Sequence, residues 1–236
     1  MNFLNLPELV VDMEHPAHLS PYKEGFELTC VGVYDGTEPR LLTPGEARVF
    51  LKKRWNTHLI IFHSGKSDIT AMRAAGVVPG PPENCADTMI AANVLNENRN
   101  PRELGLKPLV RRLFKREVQE FDENLDQTSE EFRRYAIADC TNEWDLWQLE
   151  KEHLRKFGLE EYFHTVLMPA LPAVADMEWS GVGWDFARAR EFINALIELR
   201  NQCEAEIKTE FGDVNLHSAD DLRDIFFNKL KLSFCH

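Results

Sequence analysis

The chain has 236 residues, 44% of them hydrophobic and 10% aromatic, which suits one large domain or a medium domain with a small companion. Its formal net charge of -12 favours solubility and argues against unspecific adhesion to nucleic acid or to an anionic membrane. Carboxylates gathered to hold cations enter the same sum, so the charge does not exclude an enzyme that works on nucleic acid.

The five cysteines, Cys30, Cys85, Cys140, Cys203 and Cys235, are scattered and form no CxxC pair. They read as reduced structural thiols of a cytosol-like compartment rather than a zinc site. "MNFLNLPELVVDMEH" has no basic segment followed by an apolar run, so no signal peptide is expected. No apolar stretch approaches the ~20 residues that span a bilayer.

In chain order, Leu9 to Met13 reads as a buried strand. "GFELTCVGVYDG" alternates and ends on the turn signal Asp35-Gly36, which predicts a second strand and a hairpin, with "RLLT" a candidate third strand. Thr43, Pro44 and Glu46 form a capping-box-like helix start. "THLIIFH" is another buried strand, and "SDITAMRAAG" a helix closed by Gly76. "VVPGPPENCADT" reads as a Pro-rich connection; "TMIAANVLN" and "ELGLKPLVRRLFKRE" read as helices. A long helical pattern then runs from a Thr128 or Ser129 cap to Gly158. Strand signals fade beyond it. Residues 158–236 read as helices, one entered or interrupted at Pro169 and Pro172, and one long and amphipathic from Phe186. The expected division is therefore 1–157, a mixed α/β sheet flanked by helices, and 158–236, a small all-helical segment.

The chemistry is carried by acids. Asp12 and Glu14 are two apart on a strand, so both side chains point to one face, where a cation would relieve their repulsion. Taken alone, the pair reads as a solvated strand end. Asp68 follows the strand "LIIF" at a helix start, where capping is the plainer reading. Tyr135 and Asp139 are four apart and stack on one side of the long helix, a spacing that also arises by chance. Together, four carboxylates on a strand, a helix start and a later helix suit two hard divalent cations, Mg²⁺ or Mn²⁺. Two such ions ~4 Å apart clamp the attacking and leaving oxygens of a phosphoryl displacement, and a phenol in reach would orient the attacking water. Asp87-Thr88 is a rival acidic candidate that capping explains.

"VVDMEH", "HSGKSDITAM" and "RRYAIAD" resemble, in order and spacing, the three exonuclease motifs of the tyrosine-containing branch of the DEDD superfamily. "CADTMIAANVLN" and "LGLKPLVRRLF" resemble the segment between its second and third motifs. "LMPALPAVADMEWSGVGWD" is similar to the stretch joining the proofreading exonuclease of family A DNA polymerases to their polymerase module, and "NLHSADDLRDIFFNKLKL" to the start of the thumb. The resemblance implies a ribonuclease-H-like fold and removal of nucleotides from a 3′ end, with Asp12, Glu14, Asp68 and Asp139 as ligands of the ions and Tyr135 orienting water. The second motif departs from the family: Ser64 stands where asparagine is usual and Ser67 where an aromatic is usual.

The implied substrate is DNA with a single-stranded 3′ end. The polymerase parts would lie on a separate chain or in a missing remainder of this one, so no polymerase activity is expected from this chain alone. The implied setting is the cytoplasm of a bacterial or phage-infected cell, with no membrane partner. Candidate nucleic-acid contacts are Met13, His63, Ser64 and Lys66 near the acids, and Arg111 and Arg112 in a cationic strip with Lys107, Lys115 and Arg116. The strip also reads as a solvated helix face. An exoribonuclease of the same branch, and an inactive domain that only holds DNA, are the alternatives.

Overall fold

A computed structural model describes residues 6–16, 18–96, 101–120, 122 and 125–233. The apolar run after Pro7 forms β1 (Glu8–Glu14), followed by β2 (Cys30–Tyr34) and β3 (Arg40–Leu42). Helix α1 (Pro44–Leu51) starts at the expected box: Glu46 N donates to Thr43 Oγ1, and Thr43 N donates to the Glu46 carboxylate at 2.9 Å. Then come β4 (Leu59–Phe62), α2 (Gly65–Ala74), β5 (Cys85–Asp87) and α3 (Thr88–Leu95). A short 3₁₀ turn (Pro101–Leu104) leads into α4 (Leu106–Phe114).

Strand β5 is a difference from the sequence reading, which leaves this stretch in a Pro-rich connection. Three residues are too few to show a period of two. They form a strand because they extend the parallel edge, pairing Cys85, Ala86 and Asp87 with Ile60, Ile61 and Phe62. The sheet order is β3-β2-β1-β4-β5. β1 is antiparallel to β2 and parallel to β4, so the sheet is mixed.

Helix α5 (Glu130–Lys156) is 27 residues long and is capped by Ser129 Oγ, which accepts from Phe132 N. It covers the sheet face that carries the acids. In the β1–β2 register, Val10 pairs with Tyr34, Asp12 with Gly32 and Glu14 with Cys30, and paired residues share a face. Trp144 of α5 packs edge-on against Tyr34, with ring centroids 5.4 Å apart. The same ring crosses Gly36 (φ +85°), where a Cβ would stand 2.6 Å from Trp144 Cζ2. One turn away, a Cβ on Gly32 would meet Cys140 Sγ at 2.3 Å. The opposite face, with Leu9, Val11, Ile60 and Phe62, closes the main apolar core, where Phe62 meets Trp55 at 6.1 Å. Phe132, in the first turn of α5, is buried.

After Gly158 the chain forms α6 (Glu160–Tyr162), a π-type segment (Phe163–Leu167) and α7 (Met168–Ser180), with Pro172 inside α7. Phe163, Met168, Leu171 and Ala175 enter the same core. Two ion pairs tie α7 to α2, Arg73–Asp176 and Lys66–Glu178, each at 2.7 Å. Arg73 also lies over the Trp179 ring, 4.6 Å from its centroid. The boundary expected near residue 158 therefore falls inside the first compact unit, Met1–Gly181, because α7 completes its core.

The second unit, Val182–His236, holds α8 (Phe186–Phe211), capped by Asp185, and α9 (Ala219–Arg223), capped by Ser218 and continued by a π-type turn (Asp224–Lys229). Lys229 Nζ donates to the Phe211 carbonyl at the end of α8, at 2.9 Å. No residue of α8 is buried, and Phe192, Ile193, Leu196 and Leu199 lie exposed along it. Among the described residues no helix is long and apolar enough to cross a membrane.

The contact between Gly32 and Cys140 generates a prediction. Gly32→Ala forces α5 away from β2 and lowers stability by roughly 1–3 kcal/mol in urea denaturation, the usual range for overpacking. Adding Cys140→Ala, which removes the colliding sulfur, recovers part of the loss. Equal stability of wild type and Gly32→Ala would show that the helix does not depend on this approach.

Candidate active site

Strand β1 ends with its carboxylates turned toward α5, and α5 returns Asp139 to meet them. Oxygens of Asp12, Glu14 and Asp139 all lie within 4.8 Å of one another. Asp12 Oδ1 accepts from the Met13 amide at 2.9 Å, which fixes the carboxylate at the strand end. Burial first, and then the Asp139 charge, push the Asp12 carboxyl up to about 7. Burial and then Asp12 push Glu14 up to about 8.

Asp68 lies in the first turn of α2 and is buried. Burial holds its carboxyl well above the usual range, and the charges of Asp12, Asp87 and Glu14 add to this. It is near enough to feel the same acids, but its oxygens are not among the three that converge. Its surroundings go beyond a helix cap. The capping is done by Asp87, as the plainer reading of that residue expects. One Asp87 oxygen accepts from Ile90 N at 3.1 Å and from Ser64 N at 3.4 Å, and the other accepts from Gly65 N at 2.8 Å. A single buried carboxylate so starts both α3 and α2.

Tyr135 sits one turn before Asp139 on the covered face of α5. Burial is the main reason its phenol stays protonated far beyond the ordinary range, and the charges of Asp139 and Glu14 and a hydrogen bond with Asp139 reinforce this. The phenol is therefore a hydrogen-bonding group and not a base.

Lys107 is the residue whose part the sequence does not reveal. It reads there as one member of a cationic strip. In the fold its Nζ leaves the strip and donates to Asp139 Oδ2 at 2.6 Å and to the Tyr135 hydroxyl at 3.0 Å. Glu143, one turn beyond Asp139, is also missed. It is buried, and burial followed by Asp12, Asp68, Asp87 and Asp139 holds its carboxyl well above the usual range. The available signal is its spacing: residues 135, 139 and 143 recur every four positions on one helix.

The candidate nucleic-acid contacts are differently placed. His63 is a neutral ring: burial first, then Lys107, lower it to about 4, and its Nδ1 lies 2.7 Å from Thr88 Oγ1. Ser64 has φ +68° and caps nothing with its side chain. The Lys66 ammonium is paired with Glu178, which also accepts from the Tyr22 hydroxyl at 3.2 Å. Met13 offers its amide to Asp12. Arg111 is paired with Glu120, and Arg112 stands 3.8 Å from Glu103. Cys30, Cys85, Cys140 and Cys203 are free thiols, and Cys235 lies outside the described residues. Burial raises Cys30 and Cys85 to about 12, so neither is a nucleophile.

The donor set is all oxygen and all anionic, which fits a hard divalent cation. The carboxyls of Asp12, Glu14 and Asp68 are raised by burial first and by one another second, and a cation bound among them would offset both.

The sequence profile of the 3′-5′ exonuclease family matches residues 1–150, the stretch that contains all four carboxylates and Tyr135. DNA polymerase I of Treponema pallidum (strain Nichols) is 29% identical over 192 residues, covering 77% of this chain and 19% of the relative. The chain thus spans about a fifth of the length of that curated relative. In fold, the chain is similar to the POL domain of Pol1 from M. smegmatis in complex with DNA primer-template and dNTP (TM-score 0.72, 17% identity, 97% of this chain and 38% of that one). It is also similar to Brucella melitensis NrnC with bound Mg²⁺ (0.61, 18%, 78% and 92%). Escherichia coli RNase D, an exoribonuclease involved in structured RNA processing, shares the fold as well (0.60, 15%, 74% and 46%). The mixed sheet with α5 across it is accordingly ribonuclease-H-like. With the family profile spanning more than half of the sequence and the acids converging within it, the chain belongs to the 3′-5′ exonuclease family of family A DNA polymerases.

Proposed function

We propose that this DEDD-type exonuclease domain hydrolyses the terminal phosphodiester at the single-stranded 3′ end of DNA. The observation that carries the reading is the convergence of Asp12, Glu14 and Asp139 within 4.8 Å, with the Tyr135 phenol hydrogen-bonded to Asp139. Asp12, Glu14, Asp68 and Asp139 would hold two divalent ions, Mg²⁺ or Mn²⁺. When bound, such ions supply positive charge for the attacking and leaving oxygens.

The protein's own groups do the rest. Tyr135, protonated at any ordinary pH, holds the attacking water by a hydrogen bond and aims it. Water forms the new P–O bond, the bond from phosphorus to the 3′ oxygen breaks, and a nucleoside 5′-monophosphate leaves. The 3′ oxygen of the remaining strand takes a proton. Arg111, four residues beyond Lys107 on α4, and Arg112 would follow a backbone entering from that side. Their partners Glu120 and Glu103 are exposed acids that phosphate would replace.

DNA is favoured because the polymerase-like joining stretch continues past the exonuclease motifs, and because the Pol1 POL domain matches 97% of the chain. The exposed apolar face of α8 suits a polymerase module, on another chain or in the remainder of this one, as the partner that covers it. RNA is the second reading, supported by the likeness to RNase D.

Digestion of matched single-stranded DNA and RNA in Mg²⁺ tests the assignment, with DNA expected to shorten from its 3′ end. A clear preference for RNA overturns the substrate. Asp12→Ala should lower the rate by at least ~100-fold. Tyr135→Phe should lower it by about 10–100-fold, since the carboxylates remain. Digestion unaffected by Asp12→Ala, or absent in both proteins, defeats the catalytic reading.

A second prediction follows from the raised carboxyls. Unfolded, Asp12 and Glu14 titrate near 3.8 and 4.5; folded, near 7 and 8. Between these limits the folded state binds more protons than the unfolded one, so stability falls as pH rises. In EDTA, the melting temperature should drop from about pH 4 toward pH 8, once the effect of other groups is removed by comparison with Asp12→Asn/Glu14→Gln. Mg²⁺ should flatten the drop. A metal-free profile identical in wild type and double variant would refute it.

A further inference from the structure

Lys107 stands where helix physics disfavours it. It is the second residue of α4, near the positive end of the helix dipole, and no acidic residue occupies that first turn. The side chain is nonetheless drawn inward, to 15% exposure. Its Nζ lies 2.6 Å from Asp139 Oδ2, 3.0 Å from the Tyr135 hydroxyl and 4.6 Å from the centre of the Tyr135 ring. Lys66 and Arg73 in α2, by contrast, turn outward to Glu178 and Asp176.

We propose that Lys107 is the resident counter-cation of the acidic cluster. Its ammonium neutralises Asp139 and steadies the Tyr135 phenol when no ion is bound, and it competes with a divalent ion for Asp139. The inference rests on the reading above that these carboxylates hold divalent ions. One carboxylate oxygen at hydrogen-bond distance from an ammonium cannot also take a divalent cation without bringing two positive charges within a few ångströms of each other. Loading therefore moves Lys107 off Asp139. Tyr135 remains in reach as its partner, and an incoming phosphate becomes an alternative one. Lys107 is thus a positioning residue, which acts through Asp139 and Tyr135.

The test is Mn²⁺ binding to the full chain by calorimetry, with thermal melts in EDTA and in Mn²⁺, for wild type, Lys107→Met, Lys107→Gln and Lys107→Arg. Lys107→Met should melt lower than wild type in EDTA, because the acids lose their counter-charge. It should bind Mn²⁺ on the order of tenfold more tightly and show a larger Mn²⁺-induced rise in melting temperature. Lys107→Gln, which keeps hydrogen bonding without charge, should shift affinity the same way and serves if Lys107→Met does not fold. Lys107→Arg should stay near wild type. Mn²⁺ affinity that is unchanged or weaker in the uncharged variants, while wild type binds, overturns the counter-cation role alone. Failure of wild type to bind Mn²⁺ overturns the assignment of the carboxylates as ion ligands, and this inference with it.

Discussion

The site depends on how closely α5 can lie on the sheet. Asp12 and Glu14 are fixed by a strand and Asp139 by a helix, and nothing in the local chain brings them together. The approach is set where Cys140, next to Asp139, rests on Gly32, the register partner of Asp12. Any side chain at residue 32 would fill the space the sulfur uses. Trp144 on Tyr34 and over Gly36 repeats the arrangement one turn on, so two glycines of β2 and its turn accept two side chains of α5. A third fastening lies at the other end of β1, where Glu8 accepts from Trp147, Gln148 and Lys151. The helix is thus held along its length, and Tyr135 and Asp139 are delivered to the acids by packing that involves no catalytic group.

What could be read from the sequence was local. The capping box of Thr43 and Glu46, the Asp35-Gly36 turn, the two-residue spacing of Asp12 and Glu14 and the four-residue spacing of Tyr135 and Asp139 are short-range patterns, and each has its expected geometry. What could not be read depends on partners far along the chain. Strand β5 is three residues long and is defined by β4, not by its own periodicity. Asp87 looks like the cap of one helix and is the start of two. Helix α7 looks like the beginning of a second domain, and it is held to the first by Met168, Leu171 and Ala175 in the core and by Arg73 and Lys66, about a hundred residues earlier. Lys107 looked like part of a solvated strip because its periodicity is that of α4, whereas its position answers to acids on β1 and α5.

The electrostatics of the cluster explain why a protein would tolerate it. Carboxyls raised to about 7 and 8, by burial first and by one another second, cost stability in the empty site, and a bound cation offsets that cost. Glu143 lies buried among the same charges, which with burial hold its carboxyl well above the usual range, and one of its oxygens has no hydrogen-bond partner among the described residues.

Ser64 shows the same compromise in the backbone. Its φ of +68° is a conformation that a serine adopts at some cost, and asparagine or glycine more readily. Serine also leaves the start of α2 without a side-chain cap. Asp87 offsets both deficits by accepting from the amides of Ser64 and Gly65. Gly65 is required in turn because a Cβ there would fall 2.5 Å from Phe62. The turn is therefore held from beneath, by β4 and by the start of α3, and not by its own side chains. It can therefore hold a serine at position 64 in this conformation while α2 still starts in place, with Asp68 buried in its first turn.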